Sequence, residues 1–94
     1  MTIVTVRIPA PLRSYTQGAD EVRVAGTSVA EALNSLGATH DGLSARILTS
    51  EGEPRQFVNI YLGSRNVRTL QGMATPLRDG DVISIVPAVA GGKS

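Results

Sequence analysis

The sequence predicts an α+β domain: a mixed sheet of four to five strands crossed by one main helix. Three observations predict it. Two short runs of alternating apolar residues open the chain, a helix with a start signal and a buried face follows, and β-prone runs close it. Alternation with period two marks a half-buried strand, and apolar residues at i, i+3, i+4 and i+7 mark a helix with one covered face. At 94 residues, the expectation is one domain with one modest core.

Thr2 to Ile8 reads as the first strand, with Val4, Val6 and Ile8 pointing one way and Thr5 and Arg7 the other. Pro9 and Pro11 stop it, because proline has no amide to donate to a ladder. Leu12 is expected to fold back onto the core. Gln17 to Asp20 reads as a turn, and Glu21 to Ala25 as a second strand with Val22 and Val24 inward, so the two strands predict an antiparallel hairpin. Ser28 followed by Glu31 fits a capping box. Behind it Val29, Ala32, Leu33 and Leu36 form one helical face, and Gly37 is placed as the left-handed residue that ends the helix.

Asp41 to Leu48 has weaker helical spacing, with Asp41 as its expected cap. Thr49 to Gln56 reads as an exposed loop. Phe57 to Leu62 is strongly β-prone, with Val58, Ile60 and Leu62 on one face and Phe57, Asn59 and Tyr61 on the other. A turn at Gly63 leads to a short strand around Asn66 to Arg68. Leu70, Met73 and Leu77 are core candidates in an irregular segment, Asp79-Gly80-Asp81 is a tight turn, and Val82 to Val86 is the last strand with Ile83 and Ile85 inward.

The order is β-β-α, a short helical piece, then β-β-β. Two hairpins flank one crossing helix, and the last strand finds its place beside the first, parallel and central, which is the β-grasp (ubiquitin-like) arrangement. The domain is expected to span residues 1–87. Residues 88–94 then form a small-residue tail that contains Gly91-Gly92 and ends in Lys93-Ser94. Glycine pairs contribute nothing to a core, but they let a backbone pass through a narrow site in another protein.

Composition narrows the chemistry. A formal net charge of +1 without a basic cluster argues against a nucleic-acid or anionic-membrane surface. The absence of cysteine removes disulfides, thiolate nucleophiles and cysteine-based zinc sites, and His40 is the only histidine, so no metal site is expected. No apolar run approaches the roughly 18 residues of a membrane span, and the start lacks signal-peptide organisation, so the chain reads as cytoplasmic. Gly92-Lys93-Ser94 resembles the end of a phosphate-binding loop, but Pro87 stands where that motif needs its first glycine. Asp79 and Asp81 fit a turn better than an acid/base pair, and His40 fits a capping or surface role. Arg65, Arg68 and Arg78 are either a basic patch or ordinary solvated surface. What remains is a carrier or interaction module, with no cofactor bound.

The run from Asp79-Gly80-Asp81 through Val82-Ile83-Ser84-Ile85-Val86-Pro87 to Ala88-Val89-Ala90-Gly91-Gly92 resembles the ending of the ThiS/MoaD ubiquitin-like sulfur carriers. Phe57-Val58-Asn59-Ile60-Tyr61 and Pro87-Ala88-Val89-Ala90-Gly91-Gly92 together resemble the CysO branch most closely. The resemblance implies a carrier protein that is a co-substrate of partner enzymes and not itself an enzyme. An E1-like partner would use ATP to adenylate the carboxylate of Gly92. A sulfur donor would convert it to a thiocarboxylate, and a sulfur-accepting biosynthetic enzyme, cysteine-synthase-like or from secondary metabolism, would receive the sulfur. Val89, Ala90 and Gly91 would be the arm that delivers it.

The family also implies docking through apolar residues on the outer sheet face near the tail, which points to Val86, Tyr61 and Phe57. Ordinary packing is the alternative for all three. Lys93-Ser94 departs from the family's ending and would block Gly92. It is expected to be cleaved after Gly92, by a JAMM-type metalloprotease in carriers that have such an extension, and the alternative is a cloning remnant. Two other readings stay open: a ubiquitin-like modifier joined to lysines, and a small subunit of a molybdopterin-synthase-like complex.

Overall fold

A computed structural model of the chain describes residues 2–56 and 58–87. The elements run β1 (Ile3–Arg7), a 3-10 helix (Ala10–Thr16), β2 (Glu21–Ala25), α1 (Val29–Thr39), α2 (Leu43–Ile47), β3 (Val58–Leu62), β4 (Arg65–Asn66), two short 3-10 turns (Val67–Thr69 and Gly72–Ala74) and β5 (Val82–Pro87). The sheet order is β2-β1-β5-β3-β4. The hairpins β1–β2 and β3–β4 are antiparallel, and β5 enters between them, parallel to β1 and antiparallel to β3. The predicted β-grasp arrangement is the one observed.

The alternating pattern sets the two faces. Val4, Val6, Ile8, Val24, Val58, Ile60, Ile83 and Ile85 are buried on the side where α1 packs, together with Val29, Ala32, Leu33 and Leu36 of the helix. Burying one such side chain contributes roughly 1.5–3 kcal/mol, so this layer dominates the stability. Leu43 and Ile47 of α2 close one side of it, and Val67, Met73 and Leu77 another. Leu12 and Val22 are half-buried against it. Val67 escaped the sequence reading because it lies in a 3-10 turn, where neither strand nor helix periodicity applies.

Four local details differ from expectation. Gly37 does not end α1. It lies inside the helix, which runs to Thr39 and is capped by His40 in extended conformation. Gly37 is there because α2 crosses at that point: a Cβ would stand 2.5 Å from Ser44 Cβ. Asp41 does not cap α2. Gly42 precedes that helix with φ 84°, a left-handed conformation that an L-residue rarely adopts. The strand expected around Asn66 to Arg68 is instead Arg65–Asn66, and Asn66 Oδ1 then accepts from the Arg68 amide and starts a 3-10 turn. Leu70 is only half-buried.

The capping box is present with a longer reach. Ser28 Oγ accepts from the Glu31 amide, while the Glu31 carboxylate passes over Ser28 and accepts from the Thr27 amide and hydroxyl, both at 2.9 Å. The amide bond first, and the hydroxyl second, hold the Glu31 carboxyl below its ordinary pKa. Residues 70–77, irregular in sequence, are fastened to this helix start. Val29 donates to Thr75 O and Leu77 to Thr27 O, while the buried Thr75 hydroxyl donates to Gly72 O at 2.7 Å.

Candidate functional site

β5 is the central strand, and the tail sequence follows it. Its entry is secured by the Asp-Gly-Asp turn. Gly80 has φ 89° and donates to Ile3 O at 2.8 Å, while Asp79 Oδ1 accepts from the Ile3 amide at 2.8 Å. Asp81 Oδ2 accepts from the Arg78 amide at 2.8 Å, and Asp81 O accepts from the Thr5 amide. Both carboxylates therefore satisfy backbone donors: that of Asp79, with the Gly80 amide and Asp81 O, clamps the start of β5 to the start of β1, and that of Asp81 closes the turn onto Arg78. They are a structural turn and not an acid/base pair.

The exit of β5 is less enclosed. The β1 register on β5 stops at Arg7 opposite Ser84, because β1 ends there and Pro9 turns the chain away. From Ile85 to Pro87 the strand is paired with β3 alone. A shallow notch of about 260 Å³ opens on the unpaired side, lined by Arg7, Pro9, Arg13, Ser84 and Val86 among others. Arg13 Nε donates to Ile8 O at 3.1 Å and holds that wall in place.

The face opposite α1 has no element packed over it among the described residues. A row runs across all five strands in register: Glu21, Arg7, Ser84, Tyr61 and Asn66. Val82 and Val86 flank Ser84 on β5, and Val86 is opposite Asn59. Val86 is 42% exposed and Val82 37%, which makes them the only large apolar side chains classed as exposed among the described residues. Tyr61 is half-buried on the same face, one diagonal step from Val86. The structure thus brings Val86 and Tyr61 together beside the tail's point of departure. Val82 was missed, although its alternation with the inward Ile83 was the signal that could have found it. Phe57, Val89, Ala90, Gly91 and Gly92 lie outside the described residues.

The remaining candidates do not converge. His40 is a capping residue whose amide donates to Leu36 O. Arg65, Arg68 and Arg78 are exposed, and none joins an ion pair among the described residues. The one ion pair there, Arg7 to Glu21 at 3.9 Å, lies on exposed side chains and contributes little. Among the described residues no group of three His, Asp or Glu side chains can hold a metal, and no helix is long and apolar enough to cross a membrane. Among the described residues the arrangement gathers no cluster of titratable side chains. It offers a rigid platform, an uncovered apolar patch and a strand that feeds the Gly-Gly sequence.

Known proteins share this architecture. The chain is 42% identical over 91 residues to the sulfur carrier protein CysO of Mycobacterium tuberculosis, covering 95% of this chain and 98% of that protein. It is 46% identical over 65 residues to small archaeal modifier protein 3 of Haloferax volcanii, covering 69% of this chain and 70% of that one. A crystal structure of the Amycolatopsis orientalis BexX/CysO complex contains a chain that superposes with a TM-score of 0.88 at 38% identity, over 95% of this chain and 99% of that one. The model of the ThiS family matches residues 6–92. A match of that extent, ending at Gly92, means that this chain belongs to the ThiS family.

Proposed function

We propose that this protein is a sulfur carrier whose working group is the C-terminal carboxyl of Gly92. The observation that carries the reading is the end of the family match at residue 92, beyond a central strand clamped at its entry and delivered beside an exposed apolar patch. Lys93-Ser94 must be removed first, by a protease of the JAMM metalloprotease class, since an amide at Gly92 leaves no carboxylate to activate. The Gly92 carboxylate then attacks the α-phosphorus of ATP in an E1-like partner and displaces pyrophosphate. A hydrosulfide equivalent displaces AMP and leaves a thiocarboxylate. The thiocarboxylate sulfur attacks an electrophilic carbon of an acceptor held by a biosynthetic enzyme of cysteine or another sulfur metabolite and displaces its leaving group. Hydrolysis of the resulting acyl linkage by water frees the sulfur product and returns the carrier as the carboxylate. This places the protein in the cytoplasm with its ATP-using partner.

A carboxylate is a poor acyl donor until a good leaving group is attached, and the partner supplies that group. The carrier contributes position. From Pro87, the five residues to Gly92 span roughly 17 Å at ~3.4 Å per residue when extended, which reaches into a cleft. Val86 and Tyr61 dock against the partner, with Phe57 as the third member. The 46% identity to a small archaeal modifier protein supports a second reading, in which Gly92 is joined to lysines of other proteins.

Intact mass of the protein purified from its own host tests the reading. The expected species ends at Gly92, with a fraction heavier by exchange of one oxygen for sulfur. Gly92→Ala is expected to retain the fold and to lose sulfur transfer at least about 100-fold, roughly 2.7 kcal/mol. Full-length chain persisting beside its partners, or normal transfer by Gly92→Ala, would overturn it.

A further inference from the structure

The sheet has an open edge on each side. Among the described residues β2 pairs with β1 alone, and β4 with β3 alone. β4 is two residues long and runs straight into a 3-10 turn, so it offers little to pair with. β2 is five residues long, and neither a proline nor a bulge interrupts it. Such an edge presents a row of backbone donors and acceptors. The ladder decides which residues present them. Ile8 donates to Asp20 O at 2.8 Å and Gly26 to Thr2 O at 3.1 Å, so Asp20, Val22, Val24 and Gly26 exchange their hydrogen bonds with β1. Glu21, Arg23 and Ala25 direct theirs outward. The Ala25 carbonyl is already engaged, because Ser35 Oγ donates to it at 2.9 Å. Glu21 and Arg23 are left as the strand residues that offer an amide and a carbonyl together.

We propose that β2 pairs antiparallel with β2 of a second copy of this chain, with Glu21 of each copy opposite Arg23 of the other. The two-fold axis passes through Val22. The alternatives are poorer. Any register that sets Ala25 opposite Glu21, Arg23 or itself competes with Ser35 for the Ala25 carbonyl. One of these also sets Arg23 opposite Arg23. A register with Glu21 opposite Glu21 opposes two carboxylates, and like charges directly opposite are destabilising. The register centred on Val22 pairs opposite charges, and each Glu21–Arg23 pair exchanges both backbone hydrogen bonds.

The side chains on both faces fit this pairing. On the outer face Arg7 approaches Glu21 at 3.9 Å within one copy, and Arg23 of the second copy meets Glu21 from the other side. Arg23 is exposed and joins no ion pair within its own copy among the described residues. On the helix side the half-buried Val22 faces Val22 of the second copy in a non-hydrogen-bonded pair, where side chains come closest. A strand edge of this length buries little area, so the association is weak, with a Kd of about 0.1–1 mM. β1 separates β2 from β5, so Val82 and Val86 stay uncovered in both copies, and the two β5 strands run in opposite directions.

Sedimentation of the full chain from about 20 µM to 2 mM at low salt tests the pairing. The expected result is a dimer that grows with concentration and weakens with added salt. Arg23→Glu and Glu21→Arg each set like charges opposite one another in the homodimer and are each expected to weaken it at least roughly tenfold. An equimolar mixture of the two variants restores opposite charges in every pair and is expected to dimerise. The chain has no cysteine, so one introduced thiol reports the register. Val22→Cys lies on the axis, where Cα atoms about 4.5 Å apart are within disulfide reach, and in oxidised glutathione it is expected to cross-link at least roughly tenfold faster than Ala25→Cys. A chain that stays monomeric at about 2 mM would overturn the proposal. So would single charge variants that dimerise as well as the native sequence, a mixture that stays monomeric, or equal cross-linking at both positions. Gly92 takes no part in these measurements, so their failure leaves the carrier reading standing.

Discussion

The two faces of one sheet follow different rules. On the inner face Val6, Ile60 and Ile83 are at most 1% exposed beneath α1. On the outer face Val82 and Val86, from the same strand as Ile83, remain open to solvent. Stability accounts for the inner face and gives no reason for the outer one, since an exposed valine adds little to folding. Under the function proposed above, the uncovered valines of the outer face are the contact with a partner surface. On that reading, the difference teaches that the residues that stabilise the fold and those that meet a partner alternate along one strand.

The comparison can be broken first on the covered side. Ile83→Ala removes a fully buried side chain from the central strand and is expected to cost about 2–5 kcal/mol, read as a lower denaturant midpoint in urea. A loss under about 1 kcal/mol would mean that the inner face is not the stabilising layer. Adding atoms to the same side tests its packing. Gly37→Ala places a Cβ 2.5 Å from Ser44 Cβ, where α1 meets α2, and is expected to cost about 1–3 kcal/mol, with recovery when paired with Ser44→Gly. The smallest stability change belongs to the outer face. Val86→Thr keeps a β-branched residue at an exposed site and is expected to stay within about 0.5 kcal/mol. The same change should weaken binding to an activating partner about tenfold, roughly 1.4 kcal/mol, in a titration followed by calorimetry. A destabilised Val86→Thr, or one with unchanged partner affinity, would remove the distinction between the faces.

Much of this was legible in the residues. The alternation of Val4, Val6 and Ile8 and of Ile83 and Ile85, the helical face from Val29 to Leu36, and the Ser28–Glu31 signal each survive in the structure because local patterning and burial agree there. Two local expectations failed for one reason. Gly37 and Asp41 carry ordinary end-of-helix and start-of-helix chemistry, but the crossing of α2 over α1 needed a glycine inside the helix, and a left-handed Gly42 took the place of a side-chain cap. A pairwise approach of two helices is invisible to periodicity. Val67 and the buried Thr75 share that difficulty, since an irregular segment has no repeat to read, although Met73 and Leu77 of the same stretch were legible as core candidates.

The sequence by itself determined the order of elements, the core faces and the Gly-Gly ending, because each is written in nearest neighbours or in a fixed period along the chain. Tertiary structure alone decided what surrounds the strand that precedes that ending. It stopped β1 at Arg7 so that the last residues of β5 have one open side, and aligned Glu21, Arg7, Ser84, Tyr61 and Asn66 across five strands with Val82 and Val86 beside them. Those relations join residues as far apart as Arg7 and Ser84, and only a register between distant strands can create them.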